Sequence, residues 1–135
     1  MAKTSGLGWT TLSLADASGT AQDIRTDISN LKISTPRAMW DVTGIDKSAF
    51  ERLPLLADLS VTLDGYFDPS ANLAHAVLSS ASSTSVMRAL TQTVAGKSLN
   101  ANVWITDYQT TRATGGALTW EAPLVLADGN VPTWS

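Results

Sequence analysis

The segment FERLPLLADLSVTLDGYFDP (residues 50–69) sets the fold class. From Leu59 the apolar residues alternate, Leu59, Val61, Leu63 and then Phe67, with Ser60, Thr62, Asp64 and Tyr66 between them. A period of two marks a strand with one buried face and one wet face. The spacing predicts a strand from about Leu56 to Phe67. Its parity turns Leu59, Val61 and Leu63 into a core and Asp58, Ser60, Thr62 and Asp64 away from it. That outward set can meet bulk water, a ligand, another copy of the chain, or something that must pass without sticking.

Working outward, "WTTLSLAD" (9–16) and "DISNLKIST" (27–35) read as two earlier strands, the first closed by the turn-like "DASGT". Pro36 opposes a continuing ladder. Residues 36–54 therefore read as one long irregular connection, with room for a helical turn near Lys47–Arg52, and connections of that length in compact domains are usually functional or mobile. After the central strand, "DPSANLAHAVLSSASS" (68–83) reads as the chain's best helix, regular over about 69–80. Asp68 is placed to cap it, Pro69 occupies its first position, and Leu73, Ala74, Val77 and Leu78 form one stripe. Strand candidates follow at 85–94, 98–110 and 115–128, the last open to division at Pro123. Six or seven strands with one outer helix predict a mainly β (α+β) domain, an antiparallel sandwich or barrel spanning 1–135.

Composition narrows the chemistry. The 135 residues are 44% hydrophobic and only 16% charged, against about 25% for an ordinary soluble domain, so part of the surface is expected to be covered by partners. No cysteine is present, which excludes disulfides, thiolate zinc sites and cysteine nucleophiles. The opening "MAKTSGLGW" has no apolar run of signal-peptide length, and no segment approaches a membrane span, so the chain is expected to stay in the cytosol unless something else exports it. Residues 1–56 hold six basic and six acidic side chains, whereas 57–135 hold three and six, so the net −3 lies wholly in the second part. No cluster of Lys and Arg offers a nucleic-acid grip.

The motifs that could carry catalysis have plainer readings. "GKS" at Gly96–Ser98 lacks the glycine a phosphate loop needs five residues earlier, where Thr91 stands, and reads as a polar hairpin turn. His75, the single histidine, has no orienting carboxylate in the pattern and reads as a helix-surface residue. Asp64 and Asp68 flank "GYF", but one reads as a solvated strand residue and the other as a cap. Of the five tryptophans, Trp120 is in phase with Leu118 and reads as core, while Trp104 is out of phase with Val103 and Ile105 and reads as outward. Trp40 and Trp134 stand in the long connection and at the chain end, as core or as interface anchors. No cofactor or metal is expected.

Three stretches together resemble the major tail tube proteins of long-tailed phages with non-contractile tails: "WDVTGIDKSAFERLPLLADLSVTLDGYFD" (40–68), "NLAHAVLSS" (72–80) and "GGALTWEAPLVLADGNVPTW" (115–134). The resemblance implies a non-enzymatic virion protein, made in the host cytoplasm. Six copies would form a ring, and rings would stack into a tube whose lumen passes the genome without specific binding. A tape measure protein and a tail terminator would be its partners, with no membrane. Related hub, terminator and secretion-tube subunits share the pattern. A different class of reading is a monomeric carbohydrate-binding β-sandwich using Trp104 or Trp40 as a stacking platform.

On the tube reading, the 36–54 connection supplies the contact between rings through Arg37, Trp40, Asp46, Lys47 and Phe50, a mix of aromatics and both charge signs that suits an interface. The wet face of the central strand, Asp58, Ser60, Thr62 and Asp64, joined by Glu121, lines the lumen. The alternative is that this face is simply washed by solvent. Residues 1–8 and 129–135 are expected to order only on assembly, with Trp134 as the terminal contact.

Overall fold

A computed structural model describes residues 5, 7 and 9–135. Ten strands form: β1 (Trp9–Ala15), β2 (Ala21–Asp23), β3 (Ile28–Ser34), β4 (Arg37–Asp41), β5 (Arg52–Ala57), β6 (Ser60–Tyr66), β7 (Arg88–Val94), β8 (Lys97–Ile105), β9 (Gln109–Arg112) and β10 (Leu118–Leu126). One α-helix among these residues, α1 (Ala74–Leu78), and a 3-10 turn at Arg25–Asp27 join them. Eight strands make one antiparallel sheet in the order β2-β1-β7-β8-β10-β6-β3, with β9 also paired to β10. The other two, β4 and β5, pair only with each other. The mainly β architecture with a single helix is the one read from the sequence.

The sheet curls on itself. Leu12 and Leu14 of β1 and Val61 and Leu63 of β6 are separated by three intervening strands, yet they share one core cluster. Ile24, Leu59, Leu90, Leu99, Val103, Trp120, Ala122 and Leu124 belong to the same cluster, as do Ala74, Val77 and Leu78 of α1. The alternation in the central stretch is realised residue by residue, since Leu59, Val61 and Leu63 are all fully buried. Trp120 is core as its phase predicts, and Trp104 is outward. Gly65 explains the "DGY" interruption: a β-carbon there would run into the Asp27 carbonyl and come within 2.6 Å of the Trp120 ring, whose Nε1 donates to the Tyr66 carbonyl at 2.9 Å.

Four features depart from the sequence reading. The helix covers five residues rather than 69–80. Asp68 does not cap it but accepts the Ser70 N–H in a tight turn, and Asn72 breaks the chain with a left-handed φ of 64°. The cap comes from far away: the Ala74 N–H donates to the buried Asp27 carboxylate at 3.1 Å. Past Leu78 the serine run competes with the helix, because Ser83 and Thr84 hydroxyls bond the Ser80 carbonyl instead.

Second, the strand expected from Leu56 is two strands, β5 and β6, parted at Asp58–Leu59. Third, Pro123 does not split β10. Its carbonyl accepts the Thr106 N–H, so its missing donor points at the corner between β8 and β9, where no ladder is interrupted. Fourth, residues 36–54 are only partly irregular. They contain β4 and the first half of β5, joined by a non-strand tip at 42–51 that has no helical turn.

Arg88 was legible only as a strand residue, yet it is almost wholly buried. Its Nη1 donates to the carbonyls of Ala15 (3.2 Å) and Val77 (2.9 Å), and its Nη2 to the hydroxyls of Ser80 and Thr84. The guanidinium thus ties the end of α1 to β1, and burial lowers its pKa from the usual arginine value. The "AGKS" turn is a two-residue hairpin. Ala95 (φ 52°) and Gly96 (φ 81°) link Val94 to its partner Lys97.

Candidate assembly surface

The hairpin β4–β5 continues the ribbon β3–β6. Asn30↔Asp64, Lys32↔Thr62, Ser34↔Ser60 and Arg37↔Ala57 keep one register through Pro36. Beyond a bulge the pairs shift by one, to Met39↔Pro54, Trp40↔Leu53 and Asp41↔Arg52. The bulge carbonyl of Leu55 is satisfied by Arg37 Nε at 3.0 Å. At the tip, Thr43 Oγ1 donates to Asp41 Oδ1 at 2.6 Å and accepts the Glu51 N–H at 2.7 Å, and Arg52 stacks 4.9 Å over the Phe50 ring. The hairpin is thus well knit internally.

It is also uncovered. Every residue of β4 is exposed, and in β5 only Ala57 is partly buried. Of fifteen large apolar side chains exposed among the described residues, seven fall between 39 and 56, which makes the hairpin the main apolar surface. Trp40 is 59% exposed, Phe50 72% and Leu56 86%. Trp40 and Leu53 share one face, Met39 and Pro54 the other, so both faces are apolar. A two-stranded hairpin alone in water is at best marginally stable, and a contiguous apolar patch of this kind marks an interaction site. All five residues expected to contact another ring, Arg37, Trp40, Asp46, Lys47 and Phe50, lie on this hairpin or its tip and are exposed. The sequence reading missed Met39, Leu53 and Leu55, whose strand-like alternation was hidden by Pro54.

The second expected surface is the outer face of the sheet. Ser60, Thr62 and Asp64 occupy it by parity, with Ser60 exposed and the other two half-buried. Asp58 lies outside β6, at the corner, where its Oδ1 accepts the Leu59 N–H at 2.7 Å. Glu121 stands directly opposite Asp64, and Asn30 Nδ2 donates to Asp64 from the other side at 3.3 Å. Two carboxylates facing each other across a ladder are destabilising unless something else favours them. The neighbouring strands add what one strand could not show: Lys32 pairs with Thr62, and Trp104 pairs with Val125, which pairs with Ser60. The face therefore carries one cation, Lys32, and two aromatics, Trp104 and the exposed Tyr66 at the end of β6, beside its hydroxyls and carboxylates.

The chain end differs from expectation. Trp134 bridges to Leu99, and Ser135 exchanges two backbone bonds with Ser98 (3.0 and 2.9 Å). The tail is already docked in the single chain and closes the β8 edge that β10 leaves free; Trp134 stays half-exposed. Of the N-terminal segment, 1–4, 6 and 8 lie outside the described residues. His75 Nδ1 meets the Tyr108 hydroxyl at 2.9 Å, and its ring lies 4.6 Å from that of Phe67, a packing role. Burial, and then the Asp27 charge, push the Tyr108 hydroxyl pKa up.

No family model matches the chain, and no curated protein sequence does either. Solved structures do. The SPP1 tail tube, determined by solid-state NMR and cryo-electron microscopy, matches with a TM-score of 0.77 over 98% of this chain and 79% of that one, at 10% identity. The tail of an empty gene transfer agent particle, refined helically with C6 symmetry, matches at 0.72 over 98% and 99%, with 15% identity. The virion of the native gene transfer agent particle matches at 0.71 over the same shares, with 13% identity. The chain has the fold of these tail structures.

Proposed function

We propose that the chain is a structural subunit of a phage-type tail tube: six copies close a ring, rings stack into a tube, and the genome passes through the lumen. The whole of 1–135 acts as that unit. It performs no catalysis, and it resides in the virion after synthesis in the host cytoplasm. The observation that carries this reading is the well-ordered apolar hairpin β4–β5 projecting uncovered from a tail tube fold. Burying its apolar side chains against other copies would supply the association energy, at about 25 cal/mol per Å² removed from water. Heterologous contacts that close in one plane and repeat along an axis give a stacked-ring tube. The low charged fraction agrees with a surface covered largely by neighbours.

Arg37, Trp40, Asp46, Lys47 and Phe50 make the contact between rings. Ser60, Thr62, Asp64 and Glu121, with Asp58 at their margin, face the lumen. A carboxylate-bearing surface with few cations lets DNA slide, since each Lys–phosphate contact would hold it. A tape measure protein in the lumen and a terminator at the tube's end are the further partners, and Trp134 makes a contact at the chain end. The test is the double substitution Trp40→Ser with Leu53→Ser. Both side chains are exposed, so the variant should remain folded by circular dichroism but stay monomeric in sedimentation. Normal polymerisation of that variant would sink the assignment of the hairpin.

A further inference from the structure

We propose that the Pro36–Asp58 corner is a hinge, on which the β4–β5 hairpin turns as a unit relative to the body. The ladder that runs through it alternates bonded and non-bonded pairs, and Pro36 with Asp58 falls in a bonded position. Such a pair normally exchanges two N–H···O bonds. Here Asp58 donates to the Pro36 carbonyl at 2.9 Å, but proline has no N–H to return the second bond. At the corner the ribbon is therefore held by one backbone bond instead of two.

The segments on either side are much firmer. Below the corner, Leu59 is fully buried, its N–H is held by Asp58 Oδ1, and its carbonyl accepts the Leu126 N–H at 3.1 Å. Above it, the Arg37–Leu55 bond, the Asp41–Thr43–Glu51 network and the Arg52–Phe50 stack lock the hairpin to itself. A stiff arm, a fixed root and a thinned ladder between them make a hinge. Thr35, Pro36 and Asp58 are all exposed, so bending there disturbs no core packing. Given the assembly role proposed above, the hinge lets the arm meet a neighbouring copy over a range of angles before it is fixed in place.

The experiment is single-molecule energy transfer on the free subunit, at concentrations far too low for assembly. The chain has no cysteine, so Ser48→Cys at the hairpin tip and Asn100→Cys on the body give two unique, exposed labelling sites. The expected result is a broad transfer distribution that narrows when Pro36→Ala restores the missing donor. Amide exchange at Asp58 should slow by about two- to tenfold in the same variant, the equivalent of one net backbone hydrogen bond. An equally narrow distribution in both proteins, or a broader one in Pro36→Ala, would overturn the hinge. Neither outcome depends on whether tubes form, so failure of the hinge is distinct from failure of the assembly reading.

Discussion

The Ala74 backbone N–H donates to the carboxylate of Asp27, 47 residues earlier, at 3.1 Å, and this bond caps α1. The carboxylate is buried, and the helix's own candidate cap, Asp68, is engaged in a turn. Asp27→Ala leaves a buried donor without an acceptor. It should destabilise the fold by about 1–3 kcal/mol in denaturant titration. Asp27→Asn keeps an acceptor oxygen and should lose distinctly less. Equal losses from the two variants would show that the acceptor is not what matters.

The β7–β8 turn offers a gain instead. Ala95 holds φ at 52°, a conformation that an L side chain other than Asn or Asp adopts at a penalty, and Gly96 follows it. Ala95→Asn creates the Asn-Gly pair that such turns favour and should stabilise by roughly 0.5–1 kcal/mol. An unchanged or lower unfolding midpoint would contradict the assignment of this turn.

Acid should weaken the fold. Ser18 and Thr20 bonds hold the Asp16 carboxyl below its ordinary value of 3.8. The Arg25 bond does so for Asp23, the Thr43 bonds for Asp41, the Ser70 bonds for Asp68, and Asn130 with Asn102 for Asp128. Carboxylates with depressed folded values contribute stability above the unfolded value, and that contribution is lost as pH falls through the folded ones. Thermal melts should therefore drop between about pH 4 and pH 2. Asp128→Asn should flatten the drop, and a melting point that rises on acidification would run against the sign of every one of these shifts.

If the outer sheet face lines the lumen, reversing its charge should slow DNA and leave assembly intact. Ser60→Lys with Glu121→Lys is the cleaner pair to use, since both positions are exposed, whereas Asp58 and Asp64 are engaged in hydrogen bonds. Particles carrying the pair should form normal tails but eject slowly, most markedly at low salt, where phosphate attraction is least screened. Normal ejection would place this face elsewhere.

The parts of the fold that depend on local pattern were legible in the sequence. The alternation of Leu59, Val61 and Leu63 gave the central strand and its buried face, and the phases of Trp104 and Trp120 separated an outward from an inward aromatic. What escaped depended on partners distant in the chain. Asp27 and Arg88 carry no sign in the sequence that the one caps α1 from 47 residues away and the other ties the end of α1 to Ala15, 73 residues before Arg88. Pro36 and Pro54 made 36–54 read as a loop. In fact Pro36 sits at a corner where one lost donor is tolerated, and Pro54 lies on a hairpin with no third strand to satisfy. The five expected contact residues all fall on one exposed hairpin, but its strand character, with both faces apolar, required the register of β4 and β5. The set expected to face the lumen was read from the central strand, with Glu121 alone added from another, so it lacked Lys32 and Trp104, which neighbouring strands bring alongside.

The most direct measurement is negative-stain electron microscopy of the purified chain, with class averages of end-on views. Sixfold rings, and tubes built by stacking them, are the predicted result, and the Trp40→Ser, Leu53→Ser variant should abolish the tubes while remaining folded. A wild-type chain that stays monomeric at every concentration and salt condition would contradict the claim that this fold exists to join copies of itself.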